Sequence, residues 1–370
     1  MNLEVEFLPV GDGTRAGDAI VVRYGEPDDY KLMVVDGGTE KTGQEIVAHL
    51  QKHFGTEAAL EHVVLTHSDA DHASGLREVL REIHVSNIWL HIPWFLSSEA
   101  IHLFKNKQWT KEGLSTAIKK EYDIVAELVD LALEAKCKIY YPFQGSAIGP
   151  FVVLSPNKAT YLHLLPQFDK TPDPDQAALE ESNMWIGKPP QGLLALLMEK
   201  AAKKIEKWID ETWVNERLKD GGVTSASNES SVVLYANVGG HRILLTGDAG
   251  INALTWSTNY ATKIGYPLQK FGFVQIPHHG SRRNVGPTVL NALLGPIQSE
   301  GTQRFTAFVS APKDDENHPR KIVLNAFTRR GAKVCATQGR AKLHYGGFPA
   351  RAGYSTAEII PLSKSVEDYD

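Results

Sequence analysis

Short β-rich runs alternate with helical stretches over residues 1–92. Val5–Val10, Ala19–Tyr24 and Lys31–Val35 carry the β-branched and aromatic content of strands, and a Gly-rich turn separates the first two. The pattern predicts helices over Gln44–Phe54 and Gly75–Ile83, and further strands at His62–Thr66 and Asn87–Leu90. Such a rhythm belongs to a layered α/β fold.

Between 93 and 225 the spacing changes. Leu114, Ile118, Val125, Leu128, Val129 and Ala132 recur at helical intervals, as do Leu194, Leu197, Met198, Ala201, Ile205, Trp208 and Ile209, with Gly221-Gly222 as the expected stop of the second helix. Pro166–Asp175 reads as a loop, and short strands are expected near Lys138–Tyr141 and Phe151–Leu154. From 230 the α/β pattern resumes. Ser231–Ala236 and Arg242–Leu245 form an expected hairpin around Val238-Gly239-Gly240. Strands at Phe273–Ile276 and Phe305–Val309, a helix over Ile322–Arg330, and strands near Lys333–Cys335 and Ala341–His344 follow. The expected organisation is one α/β domain built from 1–92 and 226–362, a largely helical insertion over 93–225, and a tail at 363–370.

Composition narrows the choice of partners. Among 370 residues, 44 are acidic and 39 basic, a net charge of -5, so no global field draws the chain to nucleic acid or an anionic membrane, and any phosphate binding must be local. No apolar run approaches the ~20 residues of a membrane span, and Met1–Glu6 lacks the basic and apolar segments of a secretion signal, so no membrane partner and a cytoplasmic location are expected. Cys137 and Cys335 are in no metal-like spacing and read as free buried thiols. The 14 histidines say more, because several are clustered.

Thr66-His67-Ser68-Asp69-Ala70-Asp71-His72 directly follows a predicted strand and precedes a helix. Two imidazoles and two carboxylates in six residues suit a loop that turns its side chains toward two adjacent cations; the plainer reading is a polar turn with Asp71 or Ser74 as a helix cap. The same placement recurs at Asp36-Gly37-Gly38, Thr246-Gly247-Asp248, Pro277-His278-His279-Gly280-Ser281 and, after Val309-Ser310, at Asn317-His318-Pro319. Ligand-type residues at the ends of five predicted strands point to one rim of a layered sheet, where α/β active sites sit.

In the order Asp36-Gly37, His67-x-Asp69-x-Asp71-His72, Gly247-Asp248 and His278-His279-Gly280-Ser281, the chain resembles the metallo-β-lactamase fold hydrolases. Within them it is most similar to the ComEC-type competence branch. Pro9–Gly13, Gly17-Asp18-Ala19, Asn228–Ser231 and Asn317-His318-Pro319 fit that branch too, and the likeness covers about 3–92 and 226–346. It implies an αββα sandwich with a dinuclear metal site on one edge. By the same resemblance, His67 and Asp69 bind the first metal, Asp71 and His72 the second, Asp248 bridges them, His278 or His279 completes the second site, and Asp36 orients the motif from behind. Two departures stand out. Asp69 replaces the commoner His, and a further His ligand between the second and fourth motifs is missing, with the Asn228 segment standing near that vacancy. The first site is then oxygen-rich, so manganese competes with zinc as the cofactor.

Two cations ~3.5–4 Å apart would supply hydroxide at neutral pH and stabilise a pentacoordinate phosphorus, with Asp71 or Asp248 orienting the hydroxide. His318 would protonate the leaving oxygen or contact the phosphate, or else it caps the helix after Pro319. Arg282 and Arg283, with Ser281, follow the His-His-Gly loop as candidate phosphate ligands, which favours a phosphodiester over a lactone or lactam. Lys105, Lys107, Lys111, Lys119 and Lys120 with Trp94, Phe104 and Trp109 read either as a single-strand channel or as an ordinary helix face over a core stripe. Asp12 and Asp18 read as structural. The leading expectation is a metal-dependent phosphodiesterase, a nuclease acting on DNA, with the insertion as lid, specificity element or protein docking surface. ComEC-type proteins join such a hydrolase to a membrane channel; no channel segment occurs here, so repair, nucleotide signalling or defence would be the setting rather than uptake. The alternatives are a small-molecule hydrolase of a lactone, lactam, thioester or cyclic nucleotide, and a non-catalytic scaffold of the same fold.

Overall fold

The computed structural model describes residues 1–11, 17–183 and 207–369. In chain order the first eight strands are β1 (Asn2–Phe7), β2 (Ala19–Glu26), β3 (Asp29–Gly37), β4 (Ala59–Val64), β5 (His84–Trp89), β6 (Lys138–Tyr140), β7 (Ala147–Ile148) and β8 (Phe151–Ser155). They are followed by β9 (Trp208–Asp210), β10 (Val233–Val238), β11 (His241–Leu245), β12 (Phe273–Gln275), β13 (Phe305–Val309), β14 (Ala332–Ala336), β15 (Lys342–Gly346) and β16 (Ser365–Glu367). Two seven-stranded sheets result, ordered β15-β1-β2-β3-β4-β5-β6 and β14-β13-β12-β11-β10-β8-β7.

The continuous apolar run in β3 shows why the sheets stack. Met33 and Val35 face the opposite sheet in a core with Phe7, Leu234, Phe273 and Phe308, while Leu32 and Val34 face Ile46, Leu50, Leu76 and Val79 of the helices outside. A strand buried on both faces has no polar side to alternate with. On the other flank Leu244 and Val274 pack against Leu254, Leu290 and Ile322 of the helices Ile251–Lys263, Pro287–Leu294 and Lys321–Arg329. This is the expected αββα sandwich. β3 to β6 run parallel, as do β11 to β14, so the C-terminal ends within each run share one edge.

The described elements differ from the expected ones within 93–225 and at the tail. The described part of 93–225 is joined to both sheets, since β6 is the edge of the first sheet and β7 and β8 the edge of the second. The first helical stretch is two helices, Lys111–Glu121 and Asp123–Glu134, broken at Tyr122. Of the second, Leu194–Ile205 lies outside the described residues, while Trp208 and Ile209 are in strand β9 and no helix ends at Gly221. Aromatic and β-branched neighbours satisfy a strand as well as a helix, and pairing with β16 decided the matter. The tail is therefore structural: Glu367 of β16 accepts the Lys321 and Ile322 N–H groups at 2.9 and 3.1 Å. Trp94 and Phe104 are buried in the core, which removes them as stacking faces, and Lys107 pairs with Asp175 at 2.8 Å.

His91, just beyond β5, is stacked on Tyr161 at 4.3 Å and against Phe143 at 4.7 Å, and neither ring nitrogen has a hydrogen-bond partner among the described residues. Burial pushes its pKa down to about 3. The folded chain refuses a proton that the unfolded chain accepts below about pH 6.5, so this contribution to stability is intact above that pH and is lost as the pH falls toward 3. His91→Phe should remove the loss. It should gain on the parent by about 3 kcal/mol between about pH 7 and pH 4.5, because each pH unit crossed below the ordinary imidazole value costs the folded parent ~1.36 kcal/mol. Urea midpoints at the two pH values test it; an unchanged difference would mean that His91 is not held neutral.

Candidate metal centre

Asp36 closes β3 with φ 57, a left-handed conformation that Asp tolerates. Its buried carboxylate accepts the Thr66 N–H at 2.7 Å on Oδ1, and on Oδ2 the Thr66 hydroxyl at 2.7 Å and the His72 Nδ1 at 2.8 Å. The Thr66 oxygen is in turn 3.0 Å from His67 Nδ1. With both Nδ1 atoms acting as donors toward this network, the Nε2 lone pairs of His67 and His72 are left for the interior of the site. Gly17 and Gly247 permit the close approach: a Cβ on Gly17 would lie 1.6 Å from the Asp71 carbonyl oxygen, and one on Gly247 2.9 Å from the Thr66 hydroxyl. Both have positive φ.

Asp248 reaches across from the end of β11. Its Oδ1 is 3.4 Å from His72 Nε2, and its Oδ2 is 3.8 Å from His67 Nε2 and 2.5 Å from His278 Nδ1. Asp69 Oδ2 lies 3.6 Å from His67 Nε2. The ligand atoms of His67, His72 and Asp248 all lie within 4.8 Å of one another, as do those of Asp71, His72 and His279. His279 Nδ1 lies 3.1 Å from the Ser310 carbonyl, to which it donates, leaving Nε2 as the unprotonated nitrogen. The two imidazoles left open by the sequence thus take different places, His279 beside Asp71 and His72, His278 on Asp248.

The fit to a cation can be judged from the inward atoms. His67 Nε2, His72 Nε2 and Asp248 Oδ1 are buried without a hydrogen-bond partner among the described residues. Buried polar atoms are ordinarily satisfied, and a divalent cation satisfies all three at once. The charges agree. Burial opposes protonation of His72, yet Asp248 and Asp36 outweigh it and hold its pKa well above the ordinary value. Burial would raise Asp248, but His278 and His72 hold it well below. These shifts favour positive charge beside Asp248, and a metal would stand where the metal-free protein keeps a proton on His72. Imidazole nitrogen with carboxylate oxygen suits zinc or manganese.

Residues outside the ligand set support this centre; Thr66 in this role, Gln275 and Ser227 were missed in the sequence. Thr66 joins Asp36 to His67. Buried Asp18 accepts from Gln275 Nε2 at 2.7 Å, and Gln275 Oε1 accepts the N–H groups of Thr246 and Gly247 at 2.8 and 3.2 Å, which fixes the turn before Asp248. Burial raises the Asp18 pKa to about 6 against the pull of His72. Ser227 donates to Asp69 Oδ1 at 2.6 Å, and Asn228 lies 3.0 Å from His278 Nδ1, beside the motif as its sequence position suggested. Asp12 lies outside the described residues.

One arm of the expected phosphate clamp is corrected. Arg282 donates to the Asp368 carbonyl, and its guanidinium lies 4.9 Å from the Tyr369 ring centroid, so it braces the C-terminal segment. Arg283 is exposed, and its N–H donates to buried Ser281 Oγ at 3.3 Å. His318 does approach the centre: its ring is 6.4 Å from that of His278, and its Nδ1 is 3.1 Å from Asp315 Oδ2.

Residues 12–134 match the model of the metallo-beta-lactamase superfamily, and the chain carries a domain of that superfamily. Over 142 residues it is 28% identical to ComE operon protein 3 of Bacillus subtilis (strain 168), a match covering 36% of this chain and 16% of that protein's length. Similar solved structures include a long form RNase Z from yeast, with TM-score 0.38 and 12% identity over 93% of this chain and 41% of the other. CmlA, a diiron beta-hydroxylase from Streptomyces venezuelae, has TM-score 0.42 and 12% identity over 93% and 54%. Among the described residues no helix is long and apolar enough to cross a membrane.

Proposed function

We propose that the protein is a metal-dependent phosphodiesterase that cleaves DNA at a two-cation centre. The observation that carries this reading is the cluster of five potential ligands, His67, Asp71, His72, Asp248 and His279, in which His67 Nε2, His72 Nε2 and Asp248 Oδ1 are buried with no hydrogen-bond partner among the described residues. Two divalent cations held there supply Lewis acidity, lowering the pKa of a water and offsetting charge on a phosphoryl group. The chain's own part is orientation. Asp36 and Thr66 aim two imidazoles inward, and the single carboxylate of Asp248 faces both of them. Burial lowers the His318 pKa although Asp315 opposes it, so at neutral pH it is a neutral imidazole whose Nδ1–H donates to Asp315, leaving Nε2 to accept a hydrogen bond or a proton. The choice of DNA is supported by the likeness of the motif set to ComEC-type hydrolases.

The placement of Arg282 on Asp368 and Tyr369 favours a second reading, a small-molecule hydrolase in which Arg282 does not grip a polynucleotide. Incubating metal-free protein with single- and double-stranded DNA and RNA, with manganese, zinc or magnesium added back, separates the two. Cleavage restored by one metal in the parent and absent in His67→Ala supports the phosphodiesterase. Two bound metals with no strand cut would overturn it in favour of the small-molecule enzyme.

A further inference from the structure

One short turn touches all three loops of the centre. In the helix Ala226–Glu229, Ser227 Oγ donates to Asp69 Oδ1 at 2.6 Å, and the Asn228 amide lies 3.0 Å from His278 Nδ1 and 2.7 Å from Thr224 Oγ1. Glu229 accepts the N–H groups of Asn252 and Ala253 at 3.4 and 2.7 Å, at the start of the helix that follows Asp248. Just beyond the turn, the Val232 N–H donates to the Thr66 carbonyl at 3.0 Å. Ser230 Oγ closes the turn on the Ser227 carbonyl at 2.6 Å. Nothing about the turn is loose: Ser227, Asn228, Glu229 and Ser230 are all buried.

The consequence falls on Asp69. Its side chain is 44% exposed, far more than the 4% of Asp248, so packing does not fix its rotamer. Its two oxygens are used unequally, Oδ1 by the Ser227 hydroxyl and Oδ2 facing His67 Nε2 at 3.6 Å. We propose that Ser227 is a positioning residue for the first cation, holding Asp69 to a single ligand oxygen aimed beside His67. Glu229 and Asn228 keep the hydroxyl in place by tying its turn to the Asp248 and His278 loops. The inference rests on the reading of a two-cation centre but not on the identity of the substrate. A hydrogen bond to a ligating carboxylate typically accounts for 10–100-fold in metal affinity. It would act here on one ion of the pair, since no contact of Ser227 to Asp71, His72 or His279 accompanies the one to Asp69.

Ser227→Ala and Ser227→Thr, titrated with manganese and followed by bound-metal analysis and electron paramagnetic resonance, test this without any substrate. The expected result for Ser227→Ala is one ion held as tightly as in the parent, the other weakened about 10–100-fold, and a mononuclear manganese signal in place of the coupled pair. Ser227→Thr, which keeps the hydroxyl, should restore the pair, and the metal-free melting temperature shows whether each variant is folded. Two ions bound by Ser227→Ala with parental affinity overturn the proposal, and so does equal weakening of both ions. A parent that binds two ions yet cuts no nucleic acid overturns the proposed substrate and leaves this result standing.

Discussion

Asp248→Asn is expected to leave a folded protein that binds neither cation tightly and has lost at least about 10³-fold in turnover. Asp248 is the carboxylate that faces both histidines, at 3.4 Å from His72 and 3.8 Å from His67, and its Oδ1 has no hydrogen-bond partner among the described residues. Asparagine has the same size, so the packing around the side chain survives. It replaces one anionic oxygen with an NH2 group, however, and an amide nitrogen donates hydrogen bonds but offers no lone pair to a metal. Whichever way the amide turns, one imidazole faces an NH2 group instead of sharing an anion. The lost charge also acts in the metal-free protein, where His72 is held protonated chiefly by Asp248. Its pKa should fall in the variant, visible as an imidazole resonance titrating at lower pH than in the parent. A loss of several kcal/mol of transition-state stabilisation corresponds to the stated factor at ~1.36 kcal/mol per tenfold. The measurements are metal content after dialysis against dilute zinc or manganese, circular dichroism for the fold, and cleavage rate. A variant that keeps both ions and its activity would remove Asp248 from the centre.

The parts of the site legible in the sequence are those that local pattern determines. A run such as Lys31-Leu32-Met33-Val34-Val35 is strand in either direction of reading, and a polar residue that ends it must emerge at the sheet's edge. Asp36, the Thr66–His72 loop, Asp248 and the His278-His279 pair were found in this way, and the structure brings them together. What stayed hidden depends on distant partners. Ser227 meets Asp69 across 158 positions, and Gln275 meets Asp18 across 257, and a lone Ser or Gln carries no periodicity to betray such a contact. The direction of a long side chain is hidden in the same way. Arg282 and Arg283 adjoin the His-His-Gly loop, but Asp368 and Tyr369 attract Arg282, and nothing near position 282 announces that the chain's end returns there. Weak local preference explains β9 likewise, since Trp208 and Ile209 become a strand because Ser365–Glu367 pairs with them.

The hidden network also means that a residue outside the ligand set controls two ligands together, and Asp36→Asn makes this visible. Asparagine tolerates the left-handed backbone at φ 57, so the turn after β3 should keep its shape. Its oxygen can still accept the Thr66 N–H, now held at 2.7 Å. Its NH2 group then occupies the place of Oδ2, where it meets the Thr66 hydroxyl and His72 Nδ1, both of which donate to the carboxylate in the parent. Two donors cannot face each other, so His72 must put its proton on Nε2, and the displaced Thr66 hydroxyl proton turns to His67 Nδ1, 3.0 Å away, with the same effect on that ring. Each neutral ring then carries its one proton on the inward nitrogen, the atom that the parent presents to a cation. The expected result is a fall in affinity of at least 100-fold for both cations, beyond the usual range for a single supporting contact because two ligands change at once. The cost to the metal-free fold is smaller, about 1–3 kcal/mol for the altered buried hydrogen bonds. Metal titration beside a urea unfolding curve separates the two effects, and nitrogen-15 shifts of the imidazoles report the tautomers directly. Parental metal affinity in a variant with Nε2 still unprotonated would mean that Asp36 only fills space behind the site.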